Sequence, residues 1–230
     1  MSEELVWYAS YGSNLSGARF MVYIRGGSPP GYDHTFPGCR DKSPPRDAQP
    51  VVIPHELYFG QYEQSLAGAV AFIERANRNV STLGRMYLLT EQQFNDVVSQ
   101  ENKMSPASEA YNIDFTYLLT HEEYFLNPND PSKPADENTP KWYGRLLKIG
   151  ERQGFSICTF TAEWPDDFIR HIIGPPSRAY LGIIAAGLAE TYGHSSEEIV
   201  NYLSEKRGIR EKLTSFQIRE WVTPFLLNSQ

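Results

Sequence analysis

The sequence predicts an α+β fold: a small closed or strongly curled mixed β-barrel flanked by α-helices, with two long loops. Three observations carry this expectation. Short aromatic and aliphatic runs bounded by turn residues recur as strands do, capped segments of helical periodicity are interleaved with them, and two Pro-rich stretches interrupt the order. The 230 residues are read as a single domain, with loop insertions at about 26–54 and 121–141 and a helical C-terminal part at about 176–230.

Taken in order, "LVWYASY" has the composition of a buried strand, and "GARFMVYI" after the Gly-Ser-Asn turn reads as a helix. From Gly26 to Pro54 the chain is so dense in Pro and Gly that no regular element is expected, although Tyr32, Phe36 and Val51 to Ile53 give the loop side chains to pack with. "ELYFGQY", "LAGAVAFIE", "GRMYLLT", "NIDFTYLLT", "WYGRLLKIG" and "SICTFT" follow as strands, and their number and spacing suggest the curled sheet. "TEQQFNDVVSQEN" opens with Thr90 and Gln93 at capping-box spacing. "PSRAYLGIIAAGLAETYG" starts at a Pro-Ser cap and ends at Gly193, "SSEEIVNYLSEKRG" repeats the box with Ser195 and Glu198, and "TSFQIREWV" is a last short helix ended by Pro224.

The charge balance, 21 Lys and Arg against 28 Asp and Glu for a net −7, argues against a basic nucleic-acid binder or an anionic-membrane binder. "MSEEL" is acidic where a secretory leader would be basic, and "YLGIIAAGLA" is about half of the ~20 residues a membrane span needs, so it reads as a buried helix. Two cysteines, Cys39 and Cys158, make no disulfide framework and fit a reducing compartment. A cytoplasmic setting is expected, in which the N-x-S sequons at Asn14 and Asn79 carry no glycan.

Two places can carry chemistry. A strand that ends in Gly12, Ser13 and Asn14 just before a helix leaves backbone N–H groups without partners inside the fold, so the turn either holds an anion or is an ordinary tight turn capped by Asn14 or Ser16. In the helix after Thr90, Phe94, Val97 and Val98 form the core-facing stripe, and the next position on it is Glu101. Either Glu101 is buried at a helix C-terminus, where desolvation and the dipole raise its pKa toward that of a general base, or the helix frays before it and leaves it in water. The histidines show no metal-ligand spacing, His34 and Cys39 in "HTFPGC" are too few for a metal site, and no P-loop or dinucleotide fingerprint is present.

Taken together, "YGSNL", the "GRMYLLT" strand running into a helix that ends in "QEN", and "PPSRAYLGIIAAGLAETYG" resemble the γ-glutamylcyclotransferase family, in order over roughly residues 7–205. The resemblance implies a small β-barrel with flanking helices and a cyclisation of γ-glutamyl amines or peptides to 5-oxoproline. It implies Glu101 as the catalytic base and Tyr11, Gly12, Ser13, Asn14, Leu15, Tyr180 and, more weakly, Tyr111 as substrate-binding residues. It implies no metal and no cofactor, a small γ-glutamyl substrate as partner, no nucleic acid and no membrane, with a homodimer allowed as the assembly. Leu66 and Ala67 stand where the family strand often has Trp and Gly, which alters the expected pocket. A small-ligand binding module, and an amide hydrolase or acyltransferase, remain alternatives on the same fold.

Overall fold

The protein is described by a computed structural model covering residues 4–28, 35–76, 80–108 and 111–227. Tyr32, His34 and Asn79 lie outside the described residues. The strands are β1 Leu5–Ser10, β2 Asp47–Ile53, β3 Leu57–Glu63, β4 Gly68–Ile73, β5 Thr82–Thr90, β6 Glu123–Phe125, β7 Arg145–Arg152 and β8 Phe155–Thr161. The helices are α1 Gly17–Arg25, α2 Glu91–Glu101, α3 Phe115–His121, α4 Ile169–Ile172, α5 Arg178–Tyr192, α6 Ser196–Ser204 and α7 Ser215–Leu227. Contacts divide the chain into two compact units, one of Met1–Ala9, Phe20–Gln49 and Met86–Trp164, the other of Ser10–Arg19, Pro50–Arg85 and Pro165–Gln230.

The larger sheet has six strands in the order β2-β5-β1-β8-β7-β6. β1 runs parallel to β8 with Trp7 opposite Ile157, whereas β7 is antiparallel to both β8 and β6. β3 and β4 pair only with each other as an antiparallel ribbon. The α+β class holds, but among the described residues no sheet closes into a barrel. Strand count and spacing do not reveal partners, and the ribbon takes up two of the strands that closure would have used.

In the first unit the core is aromatic. Tyr8 stacks on Phe160 at 5.1 Å and meets Phe94 edge-on at 5.9 Å, while Phe20 stacks on Tyr87 at 4.0 Å. Such pairs contribute about 1 kcal/mol each beyond the area they bury. The α2 stripe supplies Phe94, Val97 and Val98, all fully buried, and the Thr90–Gln93 capping box forms as expected.

A second, polar stripe on α2 is also buried: Gln93, Asp96 and Gln100, at i, i+3 and i+7. These side chains satisfy the Pro-rich segment. Gln93 Nε2 donates to the carbonyls of Asp41 and Ser43, Asp96 takes the Arg40 guanidinium at 2.8 Å, and Gln100 accepts from Gly38 N–H. Burial pushes the neighbouring Cys39 thiol well above its ordinary range, as expected for a packed loop thiol.

The structure corrects four local readings, the first being that the stretch read as a loop at about 121–141 contains β6, which pairs with β7 and buries Tyr124 and Phe125. "NIDFTYLLT" is not a strand: Asp114 caps Tyr117 N–H, and α3 buries Leu118. β2 lies inside the stretch read as loop, with Val51 and Ile53 buried and Val52 exposed. It is the edge of the sheet, where Pro50 costs no interior ladder bond. In the second unit, α7 runs through Pro224 instead of stopping before it. A proline cannot donate to the carbonyl four residues back, here Glu220, and that carbonyl accepts instead from the Arg178 guanidinium at 3.4 Å.

The rest of the second unit is the ribbon with α5, α6 and α7. Tyr58 and Phe72 stack across β3 and β4, and buried Glu74 pairs with Arg207. α5 begins at Ser177, whose hydroxyl accepts from Tyr180 N–H, and ends at left-handed Gly193. Among the described residues no helix is long and apolar enough to cross a membrane.

At the start of α2, Glu91 N–H donates to the Glu4 carbonyl at 3.0 Å, which brings the two acidic residues together. Burial first, and then the charge and hydrogen bond of Glu4, push the Glu91 carboxyl up from 4.5 to about 7. A carboxyl raised in the folded state contributes stability that is complete below its unfolded pKa and lost as the pH rises through the folded value. Melting measured from about pH 5 to about pH 8 is therefore expected to fall by about 2 °C across neutrality, the effect being reduced because Glu91 is half-exposed. Glu91→Gln is expected to flatten that slope.

Candidate functional site

The "YGSNL" turn belongs to the second unit. Ser13–Leu15 form a single turn of 3-10 helix, closed by Leu15 N–H to the Gly12 carbonyl at 3.0 Å and Ser16 N–H to the Ser13 carbonyl at 3.1 Å. The anion-holding reading of this turn leaves its backbone N–H groups without partners inside the fold, but Leu15 N–H is engaged within the turn. Tyr11, Asn14 and Leu15 are buried, while Gly12 and Ser13 are half-buried.

Tyr180, on the first turn of α5, is placed at this turn. A Cβ on Gly12 would lie 3.0 Å from the Tyr180 hydroxyl and 3.4 Å from the Ala71 side chain, so the absence of a side chain at Gly12 lets the phenol approach the backbone. The hydroxyl accepts from Ala71 N–H on β4 at 3.3 Å, and Ala69 N–H donates to the Pro175 carbonyl at 3.0 Å. Ribbon, turn and helix thereby meet at one phenol.

Seven residues further along the same helix face is Gly187. A Cβ there would fall 2.6 Å from the Leu15 carbonyl carbon, the Leu15 Cβ and the Ser16 nitrogen. The turn therefore rests on the bare backbone of α5. Sequence reasoning missed Gly187, although a glycine at i+7 from the tyrosine inside an otherwise good helix former was the available signal.

Glu101 and Tyr111 belong to the first unit. Glu101 is the last residue of α2 and is half-buried, an outcome between the two readings of the stripe: the helix does not fray before it, and burial is not complete. Asn102 closes the helix, its amide donating to the carbonyls of Val98 at 2.9 Å and Tyr143 at 3.0 Å. Tyr111 is tied to α2 through Asn95, whose amide donates to the Tyr111 carbonyl at 2.7 Å and accepts from Ile113 N–H at 3.1 Å. Burial, and secondarily the charge of Glu163, raise the Tyr111 pKa.

Glu163 is a buried carboxyl that sequence reasoning did not single out. It accepts from Lys141 N–H at 2.7 Å, lies 3.7 Å from the Lys141 ammonium, and is raised by burial against the opposing pull of Lys141 and Arg145. Its signal, a lone acid in "TAEWP", is indistinguishable from a surface residue. Among the described residues no group of three or more His, Cys, Asp or Glu is arranged to hold a metal ion.

No family model matches the sequence. In structure, the chain is similar to a γ-glutamyl cyclotransferase at TM-score 0.47 and 15% identity, covering 96% of this chain and 99% of that one. An uncharacterized protein from Homo sapiens is similar at TM-score 0.45 and 17% identity, over 96% and 99%. A γ-glutamyl cyclotransferase specific to glutathione from yeast follows at TM-score 0.34 and 11% identity, over 96% and 97%. In sequence, the chain is 34% identical over 208 residues to Histone deacetylase 5 of Arabidopsis thaliana, covering 87% of this chain. It spans 30% of the length of that curated relative.

Gly187→Ala is expected to push the turn off α5 or bend the helix, because the new methyl meets backbone atoms that have no rotamer to change. The cost is expected to be about 2 kcal/mol, seen as a fall in Tm of roughly 4–8 °C by calorimetry.

Proposed function

We propose that the protein is a γ-glutamylcyclotransferase-like enzyme that cyclises a γ-glutamyl amine or peptide to 5-oxoproline and releases the amine. The observation that carries this reading is the Tyr180 hydroxyl seated over Gly12, which joins the closing Pro-Ser-x-x-Tyr helix to the "YGSNL" turn within one unit. Both segments belong to the motif set that resembles the family, and they lie far apart in the sequence.

In the proposed reaction the substrate's α-amine attacks its own γ-carbonyl carbon. The new C–N bond closes a five-membered ring as the bond to the leaving amine breaks. Since the nucleophile and electrophile share one molecule, the protein's task is to hold a folded conformer and to move protons from the attacking to the leaving nitrogen. Glu101 takes one proton from the α-ammonium and passes it to the leaving nitrogen, and the attacking nitrogen gives up a second to the same leaving group as the ring closes, so that the products are the lactam N–H of 5-oxoproline and an ammonium. The N–H groups of Gly12 and Ser13, with the buried side chain of Asn14 and the Tyr180 hydroxyl, hold the substrate's carboxylate or the oxygen of its γ-carbonyl. The chemistry calls for no metal or cofactor.

Incubation with γ-glutamyl-alanine, followed by mass spectrometry, is expected to yield 5-oxoproline and alanine. Release of glutamate would instead mark a hydrolase, and binding without product a ligand-binding module. An acetyl-lysine peptide tested in parallel addresses the name of the curated relative, and release of acetate would replace the present reading. Glu101→Gln keeps size and removes the base, so kcat is expected to fall by about a hundredfold or more; undiminished turnover would refute the mechanism.

A further inference from the structure

We propose that Arg85 and Glu190 are positioning residues: an ion-paired clasp that holds the Ser13–Leu15 turn in its ligand-facing shape. The proposal rests on the reading of that turn as a substrate cradle, and its physical basis lies within the second unit.

Glu190 follows Gly187 by one helical turn on α5, so both face the same side. One carboxylate oxygen, Oε2, accepts from Gly17 N–H at 3.1 Å, the first amide of α1 and the residue just past the turn. The other, Oε1, takes Arg85 Nη1 of β5 at 2.5 Å. The same Nη1 reaches back to the Leu15 carbonyl at 3.5 Å. A closed circuit therefore runs from the turn to Arg85, to Glu190, to the start of α1 and back along the chain.

A side chain at Gly17 would have to displace the charged ends of the clasp. A Cβ on Gly17 would lie 2.8 Å from Glu190 Oε1 and 3.2 Å from Arg85 Nη1. The turn is held from below by the α5 backbone at Gly187 and from its C-terminal side by a carboxylate. That carboxylate is suited to the N-terminus of α1, where the helix dipole favours negative charge.

The energetics favour positioning over bulk stabilisation. The Glu190 side chain is 45% exposed and that of Arg85 is 18% exposed, so solvent screens the pair from the carboxylate side and its contribution to global stability is modest. Its effect is local: it fixes which way the backbone between Gly12 and Ser16 points. Preorganised backbone donors lose effectiveness steeply when they are displaced.

The test is hydrogen–deuterium exchange of the turn in Glu190→Ala and Arg85→Met, with kinetics on γ-glutamyl-alanine and Glu190→Gln as the conservative variant. In both disruptive variants, exchange across residues 13–17 is expected to quicken about tenfold with the rest of the chain protected, while KM rises about fivefold and kcat stays within about twofold. Glu190→Gln, which keeps an acceptor for Gly17, is expected to restore part of the protection and of the KM. Unchanged exchange at the turn overturns the clasp, as does loss of protection throughout the chain, or faster exchange with unaltered KM. If wild type itself yields no 5-oxoproline, the functional reading falls, and exchange alone decides whether the clasp holds the turn.

Discussion

The second unit depends on a contact between two backbones. α5 presents Gly187 where any other residue would present a side chain, and the peptide between Leu15 and Ser16 lies directly against it. Once that approach is fixed, the other placements follow from helix geometry. Tyr180, seven residues earlier, reaches Gly12, and Glu190, three residues later, reaches Gly17. One helix face thus meets the turn at its start, its middle and its end, so errors in the turn's conformation are resisted at each point.

This arrangement suits a reaction in which few groups act chemically. An intramolecular cyclisation asks for a conformer and a proton acceptor, and the conformer is the harder of the two to supply. Rigid backbone donors cost nothing to reorganise during the reaction, whereas side chains on a free loop would have to be ordered for each turnover. Of the glycines around the turn, Gly187 lets backbone meet backbone, whereas Gly12 and Gly17 admit the Tyr180 hydroxyl and the Glu190 carboxylate.

How much of this was legible in the sequence depended on whether a residue's partner was local. The capping boxes at Thr90 and Ser195 and the α5 cap at Ser177 are local, and each forms as read. Tyr180 and the turn could be picked out by their likeness to a known order of motifs, but their contact could not, because it spans the chain from residue 12 to residue 180. Gln93, Asp96 and Gln100 look like the wet face of an amphipathic helix, and only the Pro-rich segment that needs their hydrogen bonds shows that they are inside. β2 was hidden for the complementary reason: proline argues against an interior strand, and nothing in the sequence says that the strand is an edge.

The proline within α7 has a consequence for how the chain can vary. Arg178 occupies the carbonyl that Pro224 leaves without its helical donor, so the two positions share one hydrogen-bonding debt although they are far apart in the sequence. A residue with an N–H at position 224 would bond that carbonyl itself and leave the arginine dispensable. Because this bond is solvent-exposed, water takes the arginine's place when it is lost while proline stays. Either site can therefore change first, and what the pair supplies is a fixed partner for the carbonyl in place of exchanging water.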